Sequence, residues 1–191
     1  DRTVRKPEDV EQELRMPFMG FVPSMYFGGG NSYRQEKVII TDPSSGPAES
    51  YRKIRAKLNV YRSESHAKTF TVTSTTAGEG KTTLASNLAL AFAQSGLSAL
   101  LVDADMRHPK VHSIFEIERV PGLGDFLDGQ CDLESIVRST GATGLSVIGA
   151  GTGGSRSAEL LESPRLGEFF TWAREKYDVI IMDLSLLHIS E

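Results

Sequence analysis

The chain runs to 191 residues with a net charge of −4, and 39% of its residues are hydrophobic against 24% charged. That suffices for one sizeable α/β core with a leading segment, and the mild acidity excludes a general nucleic-acid surface. A lone cysteine, Cys131, excludes an intrachain disulfide framework and fits a reducing compartment, and no run reaches the ~18–20 apolar residues of a membrane helix.

Residues 1–40 read as a lead-in. The polar, mixed-charge residues 1–15 do not resemble a signal peptide. Pro7-Glu8-Asp9-Val10-Glu11 has proline and acids where a short helix would start. Met16–Pro23 is apolar but broken by two prolines, which predicts an extended segment packed on the domain edge, with a membrane-surface contact as the alternative. Gly28–Ser32 reads as a flexible loop and Val38-Ile39-Ile40 as a small strand. Gly46-Pro47 then opens a helix with Tyr51, Ile54, Leu58 and Tyr61 on one face and Glu49, Arg52 and Arg55 on the other. By spacing alone, that charged stripe is a solvated surface.

From Thr69 onward strands and helices alternate, as in parallel sheets with crossover helices. The predicted strands are 69–73, 98–103, 145–148 and 178–183; the predicted helices are 81–95, 123–128, 132–138, 157–162 and 165–176, with Gly96 ending the first of them.

Three loops in this alternation carry chemistry. Ala77-Gly78-Glu79-Gly80-Lys81-Thr82-Thr83 follows an apolar run and leads into a helix, the arrangement of a phosphate cradle. The general pattern G-x-x-x-x-G-K-[ST] would need glycine where Thr75 stands, so the strict form fails. Gly78, Gly80, Lys81 and Thr82 still supply compact turn residues, a cation for the β/γ-phosphates and a hydroxyl for Mg²⁺. The second loop ends the run Leu100-Leu101-Val102 with Asp103-Ala104-Asp105-Met106-Arg107. Its two alternating carboxylates suit metal coordination and proton acceptance, although capping of the following helix is the plain alternative. The third is Val179-Ile180-Ile181-Met182-Asp183, the form of a buried strand delivering a carboxylate to a magnesium-bound water. His108 and His112, with Pro109 between them and no third ligand, read as surface or nucleotide-side groups rather than a metal pair. Gly149–Gly154 reads as a flexible loop near the nucleotide.

Together these motifs resemble the first, additional and second Walker motifs of the bacterial tyrosine kinases, enzymes tied to capsular and exopolysaccharide export. The family's additional motif, apolar-D-x-D-x-R, is matched by Asp103–Arg107, with Pro109 close behind. Related partitioning and cell-division-site ATPases carry a lysine near the start of the phosphate loop, where Thr75 and Thr76 stand here, and lack the arginine. Glu49-x-x-Arg52-x-x-Arg55 resembles the element that docks one subunit on its neighbour in a ring, and Ser157–Leu161 with Ser163–Leu166 resembles the segment before the last core strand. The lead-in, Lys6–Glu11 through Pro23, resembles the stretch after the second membrane helix of fused transporter-kinases.

The resemblance implies a three-layer P-loop NTPase fold of the deviant, partitioning-ATPase-like type, with a mostly parallel sheet. It divides the chain into a juxtamembrane lead-in (1–40), an incomplete kinase domain (41–183) and a non-native tail (184–191). The tail also resembles a translated sequencing-adapter read-through. ATP and Mg²⁺ are the implied cofactors. Ala77, Gly78, Glu79, Gly80, Lys81, Thr82 and Thr83 would hold the phosphates, while Thr82, Asp105 and Asp183 would hold the metal and its waters. Lys81, Asp103 and Asp105 would be catalytic, with Asp103 orienting or deprotonating the tyrosine hydroxyl and Arg107 bracing the loop. The implied partners are a homo-oligomeric ring, the polysaccharide polymerase and export machinery, and a tyrosine phosphatase. The implied location is the cytoplasmic face of the bacterial inner membrane, anchored through segments outside this chain. The rival functions are a partitioning-type switch ATPase and a non-catalytic nucleotide-sensing module.

Overall fold

A computed structural model describes residues 7–13, 15–24, 33–74, 76 and 78–185. The glycine stretch 28–32, Ala77 and residues 186–191 of the tail lie outside them. Strands β1 (Thr69–Val72), β2 (Ala99–Asp103), β3 (Val137–Ser139), β4 (Leu145–Ile148) and β5 (Val179–Asp183) form one sheet in the order β1-β5-β2-β4-β3. All neighbours run parallel except β3, which pairs antiparallel with β4. The helices are α1 (Pro7–Glu13), α2 (Tyr33–Glu36), α3 (Val38–Thr41), α4 (Gly46–Ser65), α5 (Lys81–Gln94), α6 (Val111–Ile114), α7 (Leu123–Leu127), α8 (Leu133–Ile136), α9 (Ser157–Leu161) and α10 (Arg165–Lys176).

Three layers follow from the strand side chains. Leu101, Val147 and Ile181 point to a core shared with α4 and α5, while Leu100, Val102, Ile148, Ile180 and Met182 point to one shared with α7, α9 and α10. Because both faces are covered, these strands read as continuous apolar runs rather than alternating ones. Helix α5 is buried without interruption from Ala85 to Ala93, its alanines letting it lie close on the sheet. In the lead-in, Phe18 sits under Lys57 of α4, whose ammonium donates to the Phe18 carbonyl at 3.2 Å and lies 5.9 Å from its ring. Residues 16–24 form neither helix nor strand and lie against α4, where a Cβ on Gly20 would come within 2.7 Å of Ile54.

Four features differ from the sequence reading. Val38-Ile39-Ile40 is helical, because both Val38 and Ile39 are fully buried and the buried Asn87 side chain of α5 accepts the Ile39 N–H at 3.1 Å. The predicted helix 132–138 stops at Ile136, where Val137 turns extended and pairs with Ile148, giving the β4 edge the partner its backbone groups need. Tyr61 is 52% exposed, because α4 outruns the core by a turn. Gly149–Gly154 is a clamped loop, and none of its residues lines the phosphate cavity described below. The Leu123 and Gly124 N–H groups donate to the carbonyls of Gly149 (2.8 Å) and Ala150 (2.9 Å). The buried Asp125 carboxylate accepts from Gly122 N–H at 2.8 Å and from the Thr152 N–H and hydroxyl. A Cβ on Gly124 would lie 2.0 Å from the Thr152 carbonyl oxygen, so only glycine permits this approach.

At the opposite edge of the sheet, Asp178 accepts from both the N–H and hydroxyl of Ser98 at 2.9 Å, and its own N–H donates back to that hydroxyl at 3.0 Å. This reciprocal staple sets β2 and β5 in register before their first paired residues.

Two outcomes follow for stability. Gly124→Ala is expected to cost at least ~3 kcal/mol, the upper end for overpacking, because backbone rather than a side chain must move; chemical denaturation measures it. The hydrogen bonds from Ser98, backbone first and then hydroxyl, hold the Asp178 carboxyl below the usual carboxylate range. A depressed folded pKa stabilises above the unfolded value and is lost as pH falls through the folded one. Asp178→Asn should therefore lower stability by about 1 kcal/mol at pH 7, discounted for exposure. Thermal melts should show that deficit closing on acidification below the ordinary aspartate pKa of ~3.9.

Candidate active site

The site lies at the carboxyl ends of β1, β5 and β2, where ligands of open α/β sheets bind. The chain leaves β1, turns through left-handed Gly78 (φ 83°) and Gly80 (φ 85°), and enters α5 at Lys81. Nothing lies within 4 Å of where a Cβ would stand on either glycine, so the loop backbone is open to an approaching ligand. Glu79 closes the loop by accepting the Thr76 N–H at 3.2 Å. Lys81, Thr82 and Thr83 occupy the first turn of α5, where free N–H groups and the helix dipole favour anions.

Sheet register brings the acids together. Asp103 and Asp183 are directly paired across β2 and β5, and the Ala104 N–H donates to the Asp183 carbonyl at 2.9 Å. Asp103 is wholly buried and used up by backbone: Oδ1 accepts the Asp105 N–H at 3.2 Å, and Oδ2 accepts those of Lys110 and Val111, each at 3.1 Å. Burial first, and then the Asp183 charge, push its pKa up to about 8 against the pull of those three donors. Asp105 in turn accepts the His108 N–H at 3.0 Å. The segment 104–110 is thus wound around its own aspartates, and Asp103 does cap α6, the plain reading of that residue.

Asp183 is different. It is 1% exposed, and neither carboxylate oxygen has a hydrogen-bond partner. Burial raises its pKa and the Asp105 charge adds to the rise. The Thr82 hydroxyl, lying near but outside hydrogen-bond geometry, opposes it, as do Lys81 and Lys110.

Above these acids opens a cavity of about 440 Å³. The phosphate loop contributes Gly78, Gly80, Lys81, Thr82 and Thr83, and the loop after β2 contributes Asp105, His108 and Lys110. Gln35 and Glu36 of α2, with Ser185, complete the wall. A cavity of equal size at His66, Lys68 and Arg174 offers no comparable set, since the Lys68 ammonium already donates to the Arg174 and Tyr177 carbonyls at 2.7 and 3.2 Å.

Lys81, Thr82, Thr83, Asp105 and Asp183 therefore converge, with Asp103 beneath the floor. Glu79 braces the loop, and Ala77 lies outside the described residues. Glu49, Arg52 and Arg55 stand apart on α4: Arg52 pairs with Glu49 at 3.4 Å and donates to the Pro43 carbonyl at 2.6 Å, while the buried Nε of Arg55 has no hydrogen-bond partner. Sequence reasoning missed Gln35, Glu36 and Lys110. Lys110 was findable, seven positions past Asp103, whereas no local pattern predicts that the lead-in reaches the cavity.

The donors fit a hard divalent cation. Two orphaned carboxylate oxygens, a neighbouring hydroxyl and a second carboxylate are oxygen ligands of the kind magnesium takes. Among the described residues no cluster of three His, Cys, Asp or Glu could cage a metal alone. Asp183→Asn should raise thermal stability by a few degrees in metal-free buffer, because it removes a buried unpaired charge worth roughly 1–3 kcal/mol. The same variant should lose the stabilisation that Mg²⁺ with nucleotide gives the wild type; differential scanning fluorimetry reads both.

Residues 70–163 match the CobQ/CobB/MinD/ParA nucleotide-binding domain family. Tyrosine-protein kinase YwqD of Bacillus subtilis is 36% identical over 154 residues, covering 81% of this chain and 65% of its own length. Tyrosine-protein kinase Etk of Escherichia coli is 31% identical over 146 residues, or 76% of this chain, which amounts to 20% of Etk. The chain thus spans less than two thirds of these relatives. Among solved structures, the BceF tyrosine kinase domain superposes with a TM-score of 0.83 at 30% identity over 95% of this chain and 76% of that one. With the sheet, the phosphate loop and the paired acids already in place, these likenesses assign the chain to the bacterial tyrosine kinase family.

Proposed function

We propose that this domain transfers the γ-phosphoryl group of ATP to tyrosine with Mg²⁺, as an autokinase regulating capsular or exopolysaccharide polymerisation and export. The observation that supports it is the convergence of Lys81, Thr82 and Asp105 over the two unpartnered oxygens of Asp183. Mg²⁺, when held by Thr82, Asp105 and Asp183, would supply neutralisation of the charge that builds on the transferring group. Thr82, Asp105 and Asp183 hold the ion and its waters, Gly78–Thr83 hold the phosphates, and Lys81 stabilises the group in flight. Catalysis of this kind rests on positioning and charge neutralisation.

Asp103 works first as a positioning residue, because its oxygens fix the segment that carries Asp105. Burial and the neighbouring Asp183 charge favour its protonated form, so taking a proton from a tyrosine hydroxyl would need it first to ionise. Tyr51 is a poor acceptor: it is 2% exposed, and burial pushes its hydroxyl up to about 12.

The stripe Glu49, Arg52 and Arg55 is the proposed contact in a homo-oligomeric ring, supported by its separation from the buried Ala48, Tyr51 and Ile54 of the same helix. The ring would work at the cytoplasmic face of the inner membrane, through an anchor outside this chain, with the export machinery and a tyrosine phosphatase as partners. No helix among the described residues is long and apolar enough to cross a membrane.

Incubation with ATP and Mg²⁺ should yield phosphotyrosine on immunoblots, and Lys81→Met should reduce it at least ~100-fold. Asp103→Asn should lower nucleotide affinity and phosphotyrosine together; loss of phosphotyrosine at unchanged affinity would instead mark Asp103 as the proton acceptor. Phosphate release without phosphotyrosine would turn the reading to a switch ATPase, and binding with neither product to a nucleotide sensor.

A further inference from the structure

We propose that Lys110 is a second phosphate-facing cation that discriminates nucleoside triphosphates from diphosphates, and that Glu36 of the lead-in holds it in reserve. The proposal rests on the nucleotide-binding reading above and adds a specificity residue and its counter-charge to it.

Lys110, on the loop after β2, and Glu36, on α2, both line the phosphate cavity. The backbone of Lys110 is pinned: its N–H and that of Val111 donate to Asp103 Oδ2 at 3.1 Å, and the preceding turn is held by Asp105 on His108 at 3.0 Å. An exposed, flexible ammonium thus projects from a rigid base. Among the described residues it makes no ion pair, and it shares the cavity lining with Asp105 on its own loop and with Glu36 of α2. In phosphate-loop sites the loop cradles the inner phosphates, and the metal bridges the β- and γ-phosphates. Lys110 stands outside the phosphate loop, on the loop after β2 beside Asp105 and His108, and so faces whatever extends past the phosphates that the loop itself cradles.

Glu36 is held as firmly. The Asn87 amide, fully buried on α5, donates to the Gln35 carbonyl at 3.0 Å and the Glu36 carbonyl at 3.2 Å, and its oxygen accepts the Ile39 N–H. Partial burial raises the Glu36 carboxyl, and Lys110 and Lys37 oppose that rise. Lys37 is already occupied, 3.9 Å from Glu116 and over the Phe115 ring, which leaves Lys110 as the counter-charge on the cavity side. A γ-phosphate entering the cavity competes with Glu36 for that ammonium.

The test is a titration of the purified chain with fluorescent ATP and ADP analogues in Mg²⁺. Lys110→Met is expected to weaken ATP about tenfold and ADP less than about threefold, Lys110→Arg to restore ATP, and Lys81→Met to weaken both. Glu36→Gln should tighten ATP several-fold, and that gain should vanish when combined with Lys110→Met. Because Lys110 is exposed, its variants should melt with the wild type. Equal losses for ATP and ADP, or none, would overturn the discriminating role of Lys110. A Glu36→Gln gain that persists without Lys110 would overturn the reserve role of Glu36. A wild-type chain that binds neither nucleotide would defeat the nucleotide reading itself.

Discussion

Two carboxylates buried side by side are the constraint around which this domain is arranged. Asp103 and Asp183 sit at matched positions of neighbouring strands, roughly 5 Å apart by ordinary sheet geometry. At an effective dielectric of ~20, two full charges at that distance repel by about 3 kcal/mol. The chain relieves this asymmetrically. Asp103 receives three backbone donors and keeps its proton to about pH 8, whereas Asp183 receives none. One acid is thereby made structural, and the other is left for something the protein does not itself contain. Strain stored at one buried atom pair and released by a ligand is the expected mark of a functional site.

The lead-in is part of this arrangement. Asn87 spends its amide donors on the carbonyls of Thr83, Gln35 and Glu36, and its oxygen on the N–H of Ile39. Thr83 belongs to the first turn of the phosphate-binding helix, so a single buried side chain joins that turn to the segment preceding the domain. Val38 and Ile39 complete the joint by packing in the same core as α5. A displacement of the lead-in would thus be felt at the phosphate loop through a fully buried side chain, where each broken bond strands a buried polar group.

Much of this was legible in the sequence because it is local. The four parallel strands are apolar runs ending in turn or acidic residues, α5 and α10 are long periodic stretches, and the three site loops announce themselves by residue type and order. What escaped was set by tertiary contact. Val38-Ile39 has the composition of a strand, but its surroundings offer a helix face rather than a sheet edge. Val137 joins a strand because β4 needs a neighbour. Glu36 carries no local sign that it faces a phosphate site, because that depends on Asn87, a residue fifty-one positions away. The glycines at 149–154 look like freedom in the sequence; in the fold they are close approach, since Gly122 and Gly124 must pass within contact of their carbonyls.

The charge balance of the cavity bears on what can occupy it. The acids in and beneath the cavity, Glu36 and Asp105 on its wall with Asp183 and Asp103 behind them, outnumber its two lysines, Lys81 and Lys110. A bare triphosphate would enter a region with a small excess of negative charge, and the helix N-terminus alone offsets only about half a charge. A cation carried in with the nucleotide reverses the balance, because it brings positive charge to the very carboxylate whose oxygens lack partners. Metal and nucleotide should accordingly bind as a unit here, each improving the site for the other, and that coupling follows from the electrostatics of the chain itself.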